Sequence, residues 1–250
     1  PEVREAIDHL SPGEVALLEN VRFYKEETDN DRIFANKLSL LADIYVNDAF
    51  GTAHRAHAST VGITEFLSPC VAGLLLEREV EFLGQKTQNP KRPFTVILGG
   101  SKVSDKITVI NALLEKADNM IIGGAMAYTF LLALGHQVGK SLVETDKIDV
   151  AKSALEKAKQ LGVRFVLPVD SVVTDNVDSA TRTIGSLETV GTDIPENKMG
   201  IDIGPRSIEL FKEIIQTSGT ILMNGPLGIF EIAESAKGTF AIADAIAQSG

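Results

Sequence analysis

Tryptophan is missing from the 250-residue chain, and cysteine occurs once, as Cys70. A lone cysteine cannot close an intramolecular disulfide or head a Cys-based metal site, so a reducing compartment is the natural setting. Cys70 itself is expected to be a small buried hydrophobe. Long apolar runs are lacking too. No stretch approaches the roughly 18 to 20 apolar residues of a membrane span, and the opening Pro1-Glu2-Val3-Arg4 is not a basic-then-apolar signal segment. No membrane attachment is expected, and the chain reads as cytoplasmic, in the cytosol or a stroma. A basic excess is also absent: 34 Asp and Glu outnumber 24 Lys and Arg, for a formal net charge of −10. No wide face can neutralise phosphates, which argues against general nucleic-acid or anionic-membrane binding. Hydrophobic residues make up 44% and charged residues 23%, a balance that excludes disorder of the whole chain. The length suits one or two domains with sizeable cores. An initial proline and an ending at Ser249-Gly250 suggest termini cut from something larger.

From residue 94 onward one unit recurs: a β-branched run, a Gly-rich or Asp-bearing turn, then an amphipathic helix closed by Gly. That alternation predicts a parallel sheet covered by helices. The strand Phe94 to Leu98 turns through Gly99-Gly100-Ser101 into a helix from near Ser104, with Ile107, Ile110, Leu113 and Leu114 inward; the strand Met120-Ile121-Ile122 follows. Another helix places Ile148, Ala151, Leu155, Ala158 and Leu161 on one face, stops at Gly162, and enters the strand Val163 to Leu167. A further helix carries Ile208, Phe211, Ile214 and Ile215, stops at Gly219, and enters the strand Thr220 to Met223. Ser171 to Lys198, rich in Thr, Ser, Asp and Gly, predicts hairpins or loops. The first 70 residues repeat the pattern more loosely: strand Val15 to Leu18, a helix from about Asn30 to Leu41 with Ile33, Phe34, Leu38 and Leu41 inward, and strand Ile44 to Val46. Leu74 to Leu83 predicts a helix, and the polar stretch Gln85 to Pro93 a linker. The fold class expected is α/β, with two Rossmann-like parallel-sheet lobes. Residues 1–72 belong to the first lobe, 73–92 to a hinge helix and linker, and 93–250 to the second.

Ligands of parallel α/β sheets sit beyond the carboxyl ends of the strands, which directs attention to the turns. Gly99-Gly100-Ser101-Lys102, with Lys106 four residues on, can hold a phosphate on backbone N–H groups and a helix start. A tight structural turn with solvated lysines is the alternative. The Walker A and G-x-G-x-x-G spacings are both missing, which weakens the generic NTPase and dehydrogenase readings. Gly123-Gly124-Ala125 lets a flat ligand or phosphate approach the backbone, or packs helix on strand. Met199 to Pro205 and Asn224 to Glu231 are taken as two more strand-end turns. Asn224 and Glu231 suit a hydroxyl-bearing ligand, or a self-capped turn and a solvated carboxylate. In the first 70 residues, Arg22 and Arg55 can grip a carboxylate or phosphate. His54 and His57 lack the partners of a metal site, and none is expected; His9 and His136 look incidental.

Together these segments resemble the phosphoglycerate kinase family, in order and over nearly the whole chain. The matching pieces are Leu18 to Tyr24, Val46 to His57, Leu98 to Lys106, Ile121 to Ala125, Gly200 to Pro205 and Asn224 to Glu231. The resemblance implies reversible, Mg²⁺-dependent transfer of the acyl phosphate of 1,3-bisphosphoglycerate to ADP, giving 3-phosphoglycerate and ATP in glycolysis or carbon fixation. It also implies two Rossmann-like lobes joined by a hinge helix.

Carried onto matching positions, it implies that Arg22 and Arg55 bind the phosphoglycerate phosphate. Lys102 would be the catalytic residue that steadies the transferring phosphoryl group. Gly100, Lys106, Gly123, Gly124, Gly200, Ile201, Asn224, Pro226 and Glu231 would bind the nucleotide. Some family elements are not found: an Asp-x-Asn strand, a His-Leu-Gly-Arg-Pro turn with a catalytic arginine, and a Gly-Gly-Gly-Asp turn that seats phosphates and Mg²⁺. Both lobes are therefore expected to be incomplete, the magnesium ligand to lie outside this sequence, and the chain alone to be inactive, a nucleotide-binding module in effect. A monomer is expected.

Overall fold

The computed structural model describes residues 2–178 and 180–249, with the backbone alone at Gln85. Contacts divide the chain into two units, Pro1–Asn89 and Pro90–Gly250. No helix among the described residues is long and apolar enough to cross a membrane.

In the first unit α1 (Glu2–Asp8) precedes a 3₁₀ turn, Val21–Phe23, then α2 (Lys25–Thr28) and α3 (Arg32–Ser39). The strand β1 (Tyr45–Asn47), α4 (Phe50–Ala53) and β2 (Cys70–Ala72) follow, then α5 (Leu74–Glu79), a wider π-type turn over Val80–Gln85 and α6 (Lys86–Gln88). The two strands pair in parallel, Tyr45 opposite Cys70. Asp31 starts α3 by accepting from the Phe34 amide at 2.8 Å, an N-cap worth about 1 kcal/mol. That cap also shortens the helix expected over 30–41.

Val15 to Leu18 is no strand: Val15 and Leu17 are almost fully exposed, and no described strand pairs with them to complete a ladder. Ile33 faces solvent while Ala35 and Ser39 are buried. The cause is a close approach of α3 to the turn Gly62–Glu65. A Cβ on Gly62 would come 2.8 Å from that of Ala35, so the buried face follows the small residue and not the largest one. Cys70 is exposed, because β2 lies in a two-stranded sheet with all three of its residues uncovered. The helical stretch starting at Leu74 runs past Leu83 to Gln88, into residues assigned to a linker.

The second unit is α/β with a parallel sheet. Its strands are β3 (Phe94–Leu98), β4 (Asn119–Ile122), β5 (Arg164–Val166) and β11 (Thr220–Asn224), in the order β11-β3-β4-β5. All five residues of β3 are buried, as expected of a strand covered on both faces. Phe94, Val96 and Leu98 pack with Ile110 and Leu114 of α7 (Ile107–Leu114), Phe130 of α8 (Met126–Ala133) and Ala151, Ala154 and Ala158 of α9 (Ile148–Leu161). Ile97 and Ile121 face the other way, onto Phe211, Ile214 and Ile215 of α10 (Pro205–Gln216) and Ile242 of α11 (Lys237–Ala247). Each fully buried Ile or Phe contributes about 1.5–3 kcal/mol. Gly162, at φ +71°, ends α9 in the left-handed conformation.

An antiparallel sheet is appended, with β6 (Ser171–Thr174) between β9 (Leu187–Val190) and β10 (Met199–Ile203); β7 (Val177–Asp178) and β8 (Thr183–Ile184) form a separate hairpin. Met199 to Ile203 is thus itself a strand, paired with β6, and Gly204 alone separates it from α10. Helix α7 begins at Ile107, not near Ser104, because the Ser104 amide and hydroxyl donate to Glu144 at 3.0 and 2.5 Å. On α9 Ala154 is buried and Leu161 is half exposed, so small residues again mark the contact face. Helix α10 ends at Gln216; Gly219 instead donates to the Pro93 carbonyl at 2.8 Å.

Candidate nucleotide and anion sites

Three glycine turns meet beyond the carboxyl ends of β3, β4 and β11. The Gly100 amide donates to the Pro226 carbonyl at 2.9 Å, the Gly124 amide to Leu227 at 3.1 Å, and the Met126 amide to Gly100 at 3.0 Å. Gly124 sits at φ +65°, and a Cβ there would fall 2.6 Å from both the amide nitrogen and the carbonyl oxygen of Gly100. Only glycine fits that backbone contact. A side chain at Gly123 would collide with Leu227.

These turns open onto a cavity of about 580 Å³ lined by Gly100, Gly124, Gly200, Ile201, Pro226 and Glu231, among others. The far wall comes from β10, where the Gly200 amide donates to Ser141 Oγ at 2.9 Å. Tyr128 of α8 supplies the floor. It is buried, and desolvation pushes its hydroxyl pKa up, so the ring remains a neutral phenol. A Cβ on Gly200 would strike that ring. The lining is mainly apolar with a Lys140 ammonium and a Glu231 carboxylate among it, a combination suited to a flat heterocycle bearing polar edges.

Lys106 sits beside the turns without lining the cavity. Its Nζ donates to Gly99 O at 2.7 Å, Asn224 Oδ1 at 2.5 Å and Asn224 O at 3.2 Å. Partial burial lowers its pKa, against a raising effect of Asp105. The ammonium is thus held by neutral oxygens, next to the Gly100 and Gly225 backbone. Lys102 is exposed on the following turn and outside the cavity lining. Of the nucleotide residues expected from the sequence, six line one cavity, while Lys106, Asn224 and Gly123 flank it.

Arg22 and Arg55 lie in the first unit, both exposed. Arg22 occupies the 3₁₀ turn, which Asn20 Oδ1 caps by accepting from the Arg22 amide at 3.0 Å. Arg55 follows α4, and its carbonyl accepts from Thr60 Oγ1 at 2.6 Å. Among the described residues neither guanidinium has a carboxylate within ion-pair distance, so both donor forks can serve an anion. His57 has its Nδ1 3.5 Å from Glu27.

Sequence reasoning missed Tyr128, Lys140 and Ser141, and it missed Asp202. Asp202 lies on β10 behind Ile201 and is 1% exposed. It accepts from the Gly238 amide at 2.7 Å and its own strand neighbour Ile203 at 2.9 Å. Burial pushes its pKa up to about 6, against those two bonds and Lys237. Its carboxylate presses on Gly228 and Gly238, joining the back of the cavity wall to the start of α11. The signal was the one charge in the apolar run Met199-Gly200-Ile201-Asp202-Ile203, flanked downstream by glycines without side chains to crowd it.

Among the described residues no group of three His, Cys, Asp or Glu side chains is placed to hold a metal ion.

A family model described as phosphoglycerate kinase matches residues 1–250. The phosphoglycerate kinase of Acidobacterium capsulatum is 56% identical over 242 residues, 96% of this chain and 59% of that protein. That of Clostridium novyi is 51% identical over 246 residues, 98% of this chain and 61% of the relative. Among solved structures, phosphoglycerate kinase from Coxiella burnetii superposes with a TM-score of 0.81 at 41% identity, covering 96% of this chain and 61% of that one. The enzyme from Pyrococcus horikoshii gives 0.83 at 34% identity, covering 98% and 63%. The chain thus spans about three fifths of the length of these relatives.

Proposed function

The chain belongs to the phosphoglycerate kinase family, and on that premise we propose that it serves the reversible transfer of the acyl phosphate of 1,3-bisphosphoglycerate to ADP. The observation that carries this reading is the knitting of three strand-end glycine turns into one cavity with a lysine beside it.

In this account the second unit is a Rossmann-like nucleotide lobe. Adenine enters the apolar cavity between Gly124 and β10, Glu231 and Asn224 take the ribose side, and Lys106 turns from its carbonyl partners to the phosphates. The first unit is the phosphoglycerate lobe, with Arg22 and Arg55 gripping the phosphate that is not transferred. The helical segment between residues 73 and 92 acts as the hinge. Lys102 neutralises the phosphoryl group as it moves.

The chemistry asks for little covalent work. A β-phosphate oxygen of ADP attacks the acyl phosphorus, the P–O bond to the carboxyl group breaks, and 3-phosphoglycerate leaves as a carboxylate. No net proton transfer to the protein is required, so positioning and charge neutralisation carry the rate. Magnesium, which this reaction uses in the family, would arrive on the nucleotide phosphates. Such ions commonly need one or two carboxylates besides phosphate oxygens, and we assign no residue of this chain to that role. A cytoplasmic monomer is part of the same proposal.

The test is coupled turnover of the full-length protein. ATP formation from ADP and 1,3-bisphosphoglycerate is the expected result; nucleotide binding without turnover would leave the nucleotide-module reading in its place.

A further inference from the structure

We propose that Glu27 is a positioning residue that fixes the two arginine-bearing turns of the first unit relative to each other. The inference rests on the reading of Arg22 and Arg55 as the phosphoglycerate site.

Glu27 is 2% exposed, and burying a carboxylate is costly unless donors surround it. Here the donors come from one place. Ser59 supplies its hydroxyl to Oε1 at 2.6 Å and its amide to Oε2 at 2.9 Å. The Ala58 amide donates to the Glu27 main-chain carbonyl at 2.9 Å, and His57 Nδ1 stands 3.5 Å from Oε1.

Both ends of this clamp lead directly to an arginine. On one side α2 follows the turn Val21–Phe23 that carries Arg22. On the other, Thr60 Oγ1 bonds the Arg55 carbonyl at 2.6 Å and accepts from the His57 amide at 3.1 Å. Tyr45 steadies the junction by donating to the Ser59 carbonyl at 2.9 Å. Bidentate capture of an anion depends on guanidinium placement, and these bonds fix the backbone from which the two arginine side chains project.

The sign of the charge separates position from electrostatics. A carboxylate near an anion site repels the anion, so a purely electrostatic view has Glu27 weakening the site. Glu27→Gln keeps an acceptor for the Ser59 amide and offers an N–H to the Ser59 hydroxyl, which can accept. Glu27→Ala removes both bonds.

The experiment is calorimetric titration of the full-length protein with 3-phosphoglycerate and, separately, ADP, alongside amide hydrogen exchange at residues 21–23 and 54–60. Glu27→Ala is expected to weaken 3-phosphoglycerate about tenfold or more, Glu27→Gln to bind it as well as or better than the unaltered protein, and ADP to bind equally to all three. Unchanged affinity in Glu27→Ala, or equal losses in Glu27→Ala and Glu27→Gln, overturns the proposal. If the unaltered protein does not bind 3-phosphoglycerate, the substrate reading fails, and exchange decides the clamp. Faster exchange at both turns in Glu27→Ala upholds it, and unchanged exchange overturns it. Should Glu27→Ala fail to fold, Ser59→Ala replaces it, with a loss of about threefold or more expected and no loss overturning the clamp.

Discussion

Lys106 Nζ and Asn224 Oδ1, 118 positions apart in sequence, meet at 2.5 Å. The pair joins the turn after β3 to the end of β11, and the Gly99 carbonyl shares the same ammonium. The lysine is thereby partly desolvated and surrounded by neutral oxygens, so a diphosphate offers it a better partner than it now has. Lys106→Met is predicted to weaken ADP by about 10- to 100-fold, the range for hydrogen bonds to charged groups, and to leave adenosine affinity unchanged. Calorimetry with both ligands checks this. Equal losses for the two would make Lys106 a structural strut.

Gly124 and Gly162 share a left-handed backbone, at φ +65° and +71°, in different surroundings. A Cβ at Gly162 meets nothing within 4 Å, whereas one at Gly124 meets the Gly100 backbone at 2.6 Å. Gly162→Ala is predicted to cost about 1 kcal/mol in backbone strain alone. Gly124→Ala is predicted to cost about 3 kcal/mol or more, because backbone cannot swing aside. Amide exchange at β3 reads the stability of the second unit in each variant; equal effects would contradict the interlocked turns.

The buried Asp202 makes stability depend on pH. Its folded value of about 6 lies above the ordinary 3.8, so the fold holds this proton more tightly than the unfolded chain does. Its contribution to stability is complete below about pH 4 and is lost as the pH rises through about 6, amounting to about 3 kcal/mol. Asp202→Asn removes the titration. The stability of the unaltered chain relative to that variant should therefore fall by this amount from pH 4 to 7 in urea unfolding. A difference that stays flat with pH would show that folding leaves the Asp202 pKa where it is in the unfolded chain.

Lys102 stands outside the cavity and is exposed, as a group reserved for the moving phosphoryl would be. In full-length protein, Lys102→Ala is predicted to lower kcat by about 100-fold or more, as loss of an electrostatic contact made in the transition state, with ADP affinity within about twofold, since no ground-state contact is lost. Parallel losses in both would reassign it to nucleotide binding.

Much of the second unit was legible because its signals are local. Phe94 to Leu98 is a short apolar run closed by two glycines, and Gly162 stops α9 where a left-handed residue was needed. The glycine turns were legible as turns for the same reason, since a pair without side chains after a buried strand lets backbones approach closely, as Gly100 and Gly124 do. What failed depends on what covers a residue. Cys70 is exposed because β2 has one neighbour strand and no layer over it. Ile33 points outward because Ala35 is the residue small enough to meet Gly62. Tyr128 and Asp202 reach the site through the packing of β10 against α8 and α11, contacts between distant segments that periodicity does not encode. Glu27 was hidden likewise: among acidic neighbours in Lys25-Glu26-Glu27-Thr28, only tertiary structure singles it out.

The proposed reaction requires an anion site in each unit, one at the glycine turns and one at Arg22 and Arg55. Amide nitrogen–proton correlation spectra of the isotope-labelled chain, titrated with ADP and then with 3-phosphoglycerate, test it most directly. ADP should shift Gly100, Gly124, Gly200 and Glu231 and leave Arg22 and Arg55 in place, while 3-phosphoglycerate should do the reverse. Shifts from both ligands at the same residues, or none from ADP at the three glycines, would contradict it.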